Sequence, residues 1–315
     1  MRYTISNHTP GPVAKQASPS SPAGVAPAVT RRRRWHGWAP LLLGALLLLL
    51  GGCDERHKQA IIAANKALDA VLPLVDRDTK QLREGVPEGA KVLGKHLDSD
   101  PGAVPEGLRR TMVMTRAGVR NLVAAKSNFF IFVAPDGEVL RGESDPDLAV
   151  GESLFKAIPE AKTMLQAGDT AVEVFGVMHG LRGVQHGDDL QWVLGSPVRT
   201  NGKITGLFVS GWSLRHYANI MEGQVRIEMD KARKDPNKAA PLVYFFIVKG
   251  SRAYGAAVTD DLNTKVVRDM DIVKNMKDGK FQQDAELDGH VFTVIGRPLP
   301  PLGEDAAAAL MVRKP

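Results

Sequence analysis

The sequence predicts an α+β protein, with a long N-terminal helical spine followed by two antiparallel-sheet units, the second degenerate. Three observations predict it. Apolar residues recur at every seventh position, Ile61, Leu68, Val75 and Leu82, with Leu72 and Val86 in a second row; this is the stripe of an amphipathic helix. From Asn128 the texture changes to short aromatic and β-branched runs bounded by Pro, Asp, Asn and Gly. The order of those runs returns after residue 240, a weak repeat of about 75–85 residues carried by element order and aromatic openings rather than identities.

Residues 1–30 are rich in Ser, Pro, Ala and Gly and are expected to be unstructured. Arg31-Arg32-Arg33-Arg34 follows, then a leucine block from Leu41 to Leu50, then Gly51-Gly52-Cys53, the only cysteine of the chain. Basic, apolar, small, cysteine: this order resembles a bacterial lipoprotein signal peptide with its lipobox. The resemblance implies that the Cys53 thiol receives a diacylglyceryl group. Cleavage before Cys53 then leaves the chain anchored in a lipid bilayer, facing an extracytoplasmic space. The competing reading is an uncleaved membrane span. Trp38 to Gly52 would make a helix of roughly 22 Å against an apolar bilayer core of about 30 Å, and Pro40 disfavours a long regular span. The leader is longer than the family's pattern, which a true start downstream of Met1 would explain. Asp54 after the cysteine resembles an inner-membrane retention signal in enterobacteria, and leaves open the periplasmic face of the inner membrane or the outer membrane.

Charge and cysteine usage exclude several classes. The chain has a formal net charge of +6, but residues 1–52 hold six of its 41 basic residues and no acid. The remaining 35 basic residues balance 35 acidic ones. The basic excess acts as an orientation signal, and nothing steers the mature part to nucleic acid. With its one thiol lipidated, the chain is expected to have no disulfide and no cysteine metal site. No second apolar run reaches spanning length, so no intracellular output domain is expected.

The elements follow in order. Residues 55–85 read as helix, with Pro73 expected to kink or break it. Val86-Pro87-Glu88-Gly89 and Val104-Pro105-Glu106-Gly107 each suit the first turn of a new helix. Asp98 to Gly102 is a turn between them, and Leu108, Met112, Thr115, Val119 and Leu122 form a second helical stripe. Phe129–Val133 and Glu138–Arg141 pair as a hairpin around Pro135-Asp136-Gly137. A helix is expected from Ser153 to about Gln166, then strands over Ala171–Met178, Leu190–Arg199 and Lys203–Ser213, the last two joined by Asn201-Gly202. Leu214–Lys238 is a connecting helix. Strands over Val243–Val248 and Arg252–Val258 and a helix over Leu262–Met276 come next. Strands at Lys280–Leu287, His290–Arg297 and Ala307–Val312 complete the repeat, with Asp288-Gly289 as a turn. The expected organisation is leader and signal 1–52, helical spine 53–126, first unit 127–213, connecting helix 214–239 and second unit 240–315.

A strand hairpin, a helix and a three-strand antiparallel meander is the order of a PAS-like sheet. With a long leading helix it resembles the Cache family of extracellular sensory domains, possessing a double-Cache arrangement. The residues that carry the resemblance are Phe129 to Gly137, Gly151-Glu152-Ser153-Leu154, and Trp192 to Trp212. The resemblance implies a pocket between the sheet and the loops flanking its helix, for a small metabolite. The chain departs from the family in having a lipid anchor and no output domain. It also lacks the amino-acid recognition motif of some double-Cache sensors, which disfavours amino acids.

Trp192, Arg199, Trp212, Phe175 and His179 are the candidate ligand residues, a guanidinium fork and aromatic walls suiting a carboxylate. The bland reading makes both tryptophans core and Arg199 a solvated strand end. His179, Arg182, His186, Asp188 and Asp189 form the densest polar cluster, in a glycine-rich loop that suits ligand gating or a metal. The six-residue gap between its histidines matches no metal motif. Asp188-Asp189 and Asp260-Asp261 also suit helix capping. No phosphate-binding glycine loop, nucleophile elbow or zinc helix is present, so no enzyme and no cofactor is expected. The expected function is a membrane-anchored lipoprotein that binds a small solute and signals to a membrane partner. The alternative is an interaction lipoprotein with a self-filled pocket, acting through its helical surface. A third option is a hydrolase using metal at the His179 loop.

Overall fold

The computed structural model describes residues 39–99, 105–181, 189–233 and 240–314, the side chains of 39–54, 56, 105 and 106 excepted. The leader up to residue 38, most of the turn at 98–102, the end of the connecting helix and the Cys53 side chain lie outside the described residues.

Helix α1 (Ala39–Ser99) runs 61 residues and carries Pro73 and Pro87 inside it. The break expected at Pro73 and the new helix expected at Val86–Gly89 are therefore corrected. An interior proline costs about 3 kcal/mol or more through one lost hydrogen bond and a clash one turn back. Packing outweighs it here. Val71, Val75, Leu82, Val86, Ala90 and Leu93 are all at most 1% exposed, so the buried stripe continues through both prolines. The second echo behaves as expected. Pro105 opens α2 (Pro105–Gly118), whose Leu108, Met112 and Thr115 are buried, and α3 (Arg120–Ala124) follows. Among the described residues no helix is long and apolar enough to cross a membrane.

The first sheet contains β1 (Phe129–Val133), β2 (Val139–Gly142), β3 (Val172–Gly176), β4 (Gln191–Thr200) and β5 (Lys203–Ser213), in the order β2-β1-β5-β4-β3. The second contains β6 (Val243–Lys249), β7 (Arg252–Gly255), β8 (Phe281–Leu287), β9 (His290–Pro298) and β10 (Ala306–Arg313), in the order β7-β6-β10-β9-β8. All neighbours are antiparallel. The two orders are the same, and both are PAS-like. The hairpin signals hold. Asn201 and Gly202 have φ of 48° and 77°, and Asp288 and Gly289 have 50° and 71°, the two left-handed residues that a type I′ turn requires.

The helical connections are shorter than expected. Pro159 lacks the N–H that would continue a helix, so α4 (Leu154–Ala157) gives way to a 3-10 helix, Pro159–Gln166. In the second unit α6 (Asp261–Asp269) and α7 (Ile272–Asn275) are parted by Asp271, at φ 47°. Helix α5 (Leu214–Lys231) connects the two units.

Strand alternation divides each sheet into two buried faces. Phe130, Phe132, Trp192, Leu194, Phe208 and Trp212 join the core around α1 and α5, as do Phe245, Ile247 and Leu310 of the second sheet. The opposite face of the first sheet, Ile131, Val193, Leu207 and Val209, is covered by Leu154, Ile158 and Met164. In the second sheet Phe246, Phe292 and Val294 are covered by Val267 and Ile272. The covering is close: a Cβ on Gly195 would meet Met164 Sδ at 2.3 Å, and one on Gly176 would meet Ile158 at 2.5 Å.

Candidate functional site

The site grows from the start of α5. Ser213 ends β5 and caps the helix, its Oγ accepting from the His216 N–H at 3.1 Å. The Ser213 hydroxyl donates to Asp189 Oδ2 at 2.5 Å, and the Arg215 N–H donates to Asp189 Oδ1 at 3.3 Å. Asp189 is 2% exposed. Burial pushes its carboxyl above the ordinary value, against the downward pull of Ser213, the Arg215 backbone and the Arg215 and His216 charges. A carboxylate at a helix N-terminus is well placed on dipole grounds as well. Asp189 thus braces the Ser213 cap of α5 from a distant segment, whereas Asp260 is itself the N-cap of α6, accepting from the Leu262 N–H at 2.8 Å.

Beside this cap lies a cleft of about 570 Å3. Helix α2 contributes Arg109 and Arg116, two turns apart; the entry to β1 contributes Ser127, Asn128, Phe129 and Phe130. Glu143, Ser144 and Asp145 come from the loop after β2, and His216 from the first turn of α5. Arg116 Nη1 donates to both Glu143 oxygens, at 2.8 and 3.0 Å, and its guanidinium sits 4.8 Å from the Phe130 ring centroid. Arg109 Nη1 donates to Asp145 Oδ2 at 2.9 Å. The cleft therefore carries two arginines held by two carboxylates, with its apolar wall on the strand. The Ser127 hydroxyl is buried and has no hydrogen-bond partner among the described residues.

None of the five sequence-predicted ligand residues lines this cleft. Trp192 and Trp212 are fully buried cross-strand partners, their rings 4.5 Å apart, in the core against α1. Trp192 Nε1 donates to Glu173 at 2.8 Å, and Glu173 also takes a two-pronged bond from Arg83 of α1, at 2.8 and 2.9 Å. Phe175 pairs with Trp192 in register and lies under Lys249, whose Nζ is 4.4 Å from the ring. Arg199 is exposed beyond a bulge at Val198/Arg199, and His179 is exposed past the end of β3. The structure brings the three aromatics together and leaves Arg199 and His179 apart from them. Arg182, His186 and Asp188 lie outside the described residues. Among the described residues, no group of three or more His, Cys, Asp or Glu is placed to hold a metal ion.

Sequence reasoning missed the cleft because its charges come from segments far apart in the chain. The helical stripe was read from Leu108, Met112 and Thr115, and Arg109 and Arg116 beside it were not singled out. Their seven-residue spacing, which places both on one side of α2, was the available signal.

No protein-family model matches the chain, and no curated protein matches it. Solved structures do. An extracellular ligand binding receptor from Desulfohalobium retbaense is 11% identical, covers 80% of this chain and 40% of its own, and has a TM-score of 0.44. The ligand binding domain of the amino acid chemoreceptor PctB of Pseudomonas aeruginosa, in complex with L-Arg, is 15% identical over 83% of this chain and 94% of its own, with a TM-score of 0.40. The ligand-binding domain of the Pseudomonas fluorescens chemoreceptor CtaA, in complex with L-alanine, is 12% identical over 83% and 96%, with a TM-score of 0.42.

Proposed function

We propose that the protein is a lipoprotein, anchored through Cys53, whose extracytoplasmic ectodomain binds a small solute and signals its occupancy to a membrane partner. The observation that carries this reading is the cleft of about 570 Å3, lined by charged, polar and aromatic side chains. Its volume lies in the range of small-molecule sites, about 300–1,000 Å3; its lining is mostly charged and polar, with Phe129 and Phe130 as the apolar part. Arg109, Arg116, Glu143 and Asp145 replace the earlier candidates as ligand residues in this reading.

The route from cleft to partner runs through α5. His216 lines the cleft in the first turn of that helix. Two turns on, the buried Glu222 accepts from the Phe245 N–H of β6 at 3.1 Å and pairs with Arg226 at 2.7 Å. A solute that favours one placement of α5 therefore biases the second sheet, and a partner reads that surface as a population shift. The test is a thermal-shift screen of the full chain in detergent against carboxylates, amines, amino acids, nucleobases and divalent metals. A solute at a hundred times its dissociation constant adds about 2.7 kcal/mol. A stabilising solute supports the reading, and silence across the library overturns it.

One observation favours the alternative, an interaction lipoprotein that takes no small ligand. The sheet face on which the expected pocket would lie is filled by Leu154, Ile158, Ala161 and Met164 of the protein itself. In that reading the surface of α1 is the working part, and silence in the screen is its expected outcome.

A further inference from the structure

Near Cys53, α1 is bonded directly to the second sheet. His57 Nε2 lies 3.2 Å from Thr293 Oγ1 of β9. Further along both elements, Arg297 donates to Asn65 Oδ1 at 2.7 Å and to Asp69 Oδ1 at 2.9 Å. Thr293 to Arg297 rises about 13 Å along a strand, and His57 to Asn65 about 12 Å along a helix. Helix and strand therefore run side by side in one direction. Carried one step back, the same rises bring Val291 level with Cys53: about 7 Å before Thr293 on the strand, about 6 Å before His57 on the helix.

The edge of the sheet at that level is a rim of three chain segments. The Lys314 N–H donates to the Val291 carbonyl at 2.8 Å, and the Arg313 N–H to the Leu242 carbonyl at 3.0 Å. Val291 and Leu242 are 38% and 39% exposed, although their neighbours Phe292 and Val243 are buried. Arg313 lies between them, its Nη2 2.9 Å from His290 Nδ1. Apolar side chains flanked by long cationic ones suit a headgroup layer, where the stems reach the acyl boundary and the charged ends stay in the polar zone. Lys314 is held by Asp284 at 2.8 Å, and Glu286 and Asp288 lie on the same hairpin. The rim thus has no basic surplus, so apolar contact rather than attraction to anionic lipid would carry the docking.

Tether length fixes what lies beneath the rim. Cys53 and His57 belong to the one continuous helix, so no linker parts the proposed anchor from the fold. Even drawn out fully, that segment spans about 14 Å, against about 30 Å for the diameter of a small domain. Headgroups fit in that gap and a partner domain does not. Resting on the Cys53 anchoring proposed above, we infer that the rim of Leu242, Val291 and Arg313 docks on the bilayer surface as a second contact beside the lipid. The two contacts together fix the rotation of the ectodomain about α1, which a lipid anchor alone leaves free.

The test is photo-crosslinking of the full-length protein, purified from the producing cell and reconstituted in phosphatidylcholine vesicles that carry a phosphatidylcholine with a diazirine near its headgroup. Peptide mass mapping reads the adducts, and intact mass reads the lipid on Cys53. The expected result is adducts on the peptides holding Leu242 and Val291, and none on the Asn201-Gly202 hairpin, which Asp98 holds at the far end of α1. Leu242→Ser combined with Val291→Ser, both at exposed positions, keeps the unfolding midpoint and lowers the rim adducts several-fold. A lipidated, vesicle-bound chain without rim adducts overturns the inference and leaves the anchoring standing. Equal adducts on rim and hairpin overturn it as well, because no single face then meets the membrane. A chain that carries no lipid on Cys53 and stays out of the vesicles overturns the anchoring and the inference together.

Discussion

The hydroxyl of Tyr217 donates to Asp78 Oδ2 at 3.0 Å, joining α5 to α1 inside the core, and both residues are fully buried. Arg77 holds the other oxygen of the same carboxylate, at 2.7 Å. Tyr217 cannot drift from this position, because its ring stacks on Trp212 at 4.3 Å with 12° between the planes. Burial, followed by the negative charge of Asp78, pushes the phenol well above its ordinary value, so Tyr217 remains a donor at any pH the protein meets.

Tyr217→Phe leaves a buried carboxylate oxygen without its donor while preserving the ring stack. The expected loss of stability is about 1–3 kcal/mol, read from the midpoint of urea unfolding. Trp212→Ala, which empties the centre of the aromatic stack, should cost more, about 3–5 kcal/mol. No measurable loss for Tyr217→Phe would mean that the hydrogen bond adds little beyond packing.

The approach of α1 to the first sheet sets a second prediction. A Cβ on Gly89 would meet the Phe208 ring at 2.6 Å and Leu122 at 2.8 Å. Both neighbours are fully buried, so neither has open space to move into. Gly89→Ala should therefore destabilise by about 1–3 kcal/mol despite alanine's better helix propensity. Gly118→Ala, where nothing lies within 4 Å, is the control and should not.

Asp189 gives a pH dependence with a definite sign. Its folded carboxyl titrates above the ordinary value of 3.8, burial being the cause. Between that value and the folded one, the native state binds more protons than the unfolded chain, so this group's contribution to stability falls as pH rises through the window. Asp189→Asn should remove that slope. Unfolding free energies of wild type and variant, measured from pH 4 upward in steps (about 0.5 unit, against a survey scatter of about one unit), should diverge in this direction. A wild-type curve that rises relative to the variant's would contradict the assignment.

In the proposed reading, anchoring rests on one atom, the Cys53 sulfur. Cys53→Ser in the producing cell should abolish incorporation of labelled palmitate and move the chain from the membrane pellet to the soluble fraction. Retention in the pellet with full labelling elsewhere would remove Cys53 from the account.

Much of the fold was legible because its signals are local. Asn201-Gly202 and Asp288-Gly289 mark their turns by backbone chemistry that few other residue pairs supply. The aromatic run Phe129–Val133 is buried on both faces, as its unbroken apolar character suggests. The continuity of α1 was not legible. Pro73 and Pro87 are strong local stop signals, and only the tertiary burial of Val75, Leu82 and Val86 overrides them. The candidate site was hidden for a related reason. Trp192 and Trp212 suited the aromatic wall of a ligand site, yet the reading set beside it holds, for both are core. Arg116 and Glu143 are 27 residues apart, and neither has a local pattern that announces a pair.

The measurement that bears most directly on the central claim is the melting temperature of the full-length protein and of Arg116→Ala, each across the same solute library. The account predicts at least one solute that stabilises the wild type and fails to stabilise the variant. A solute that stabilises both equally would place binding elsewhere in the fold, and no stabilisation of either would contradict the claim that this cleft is a solute site.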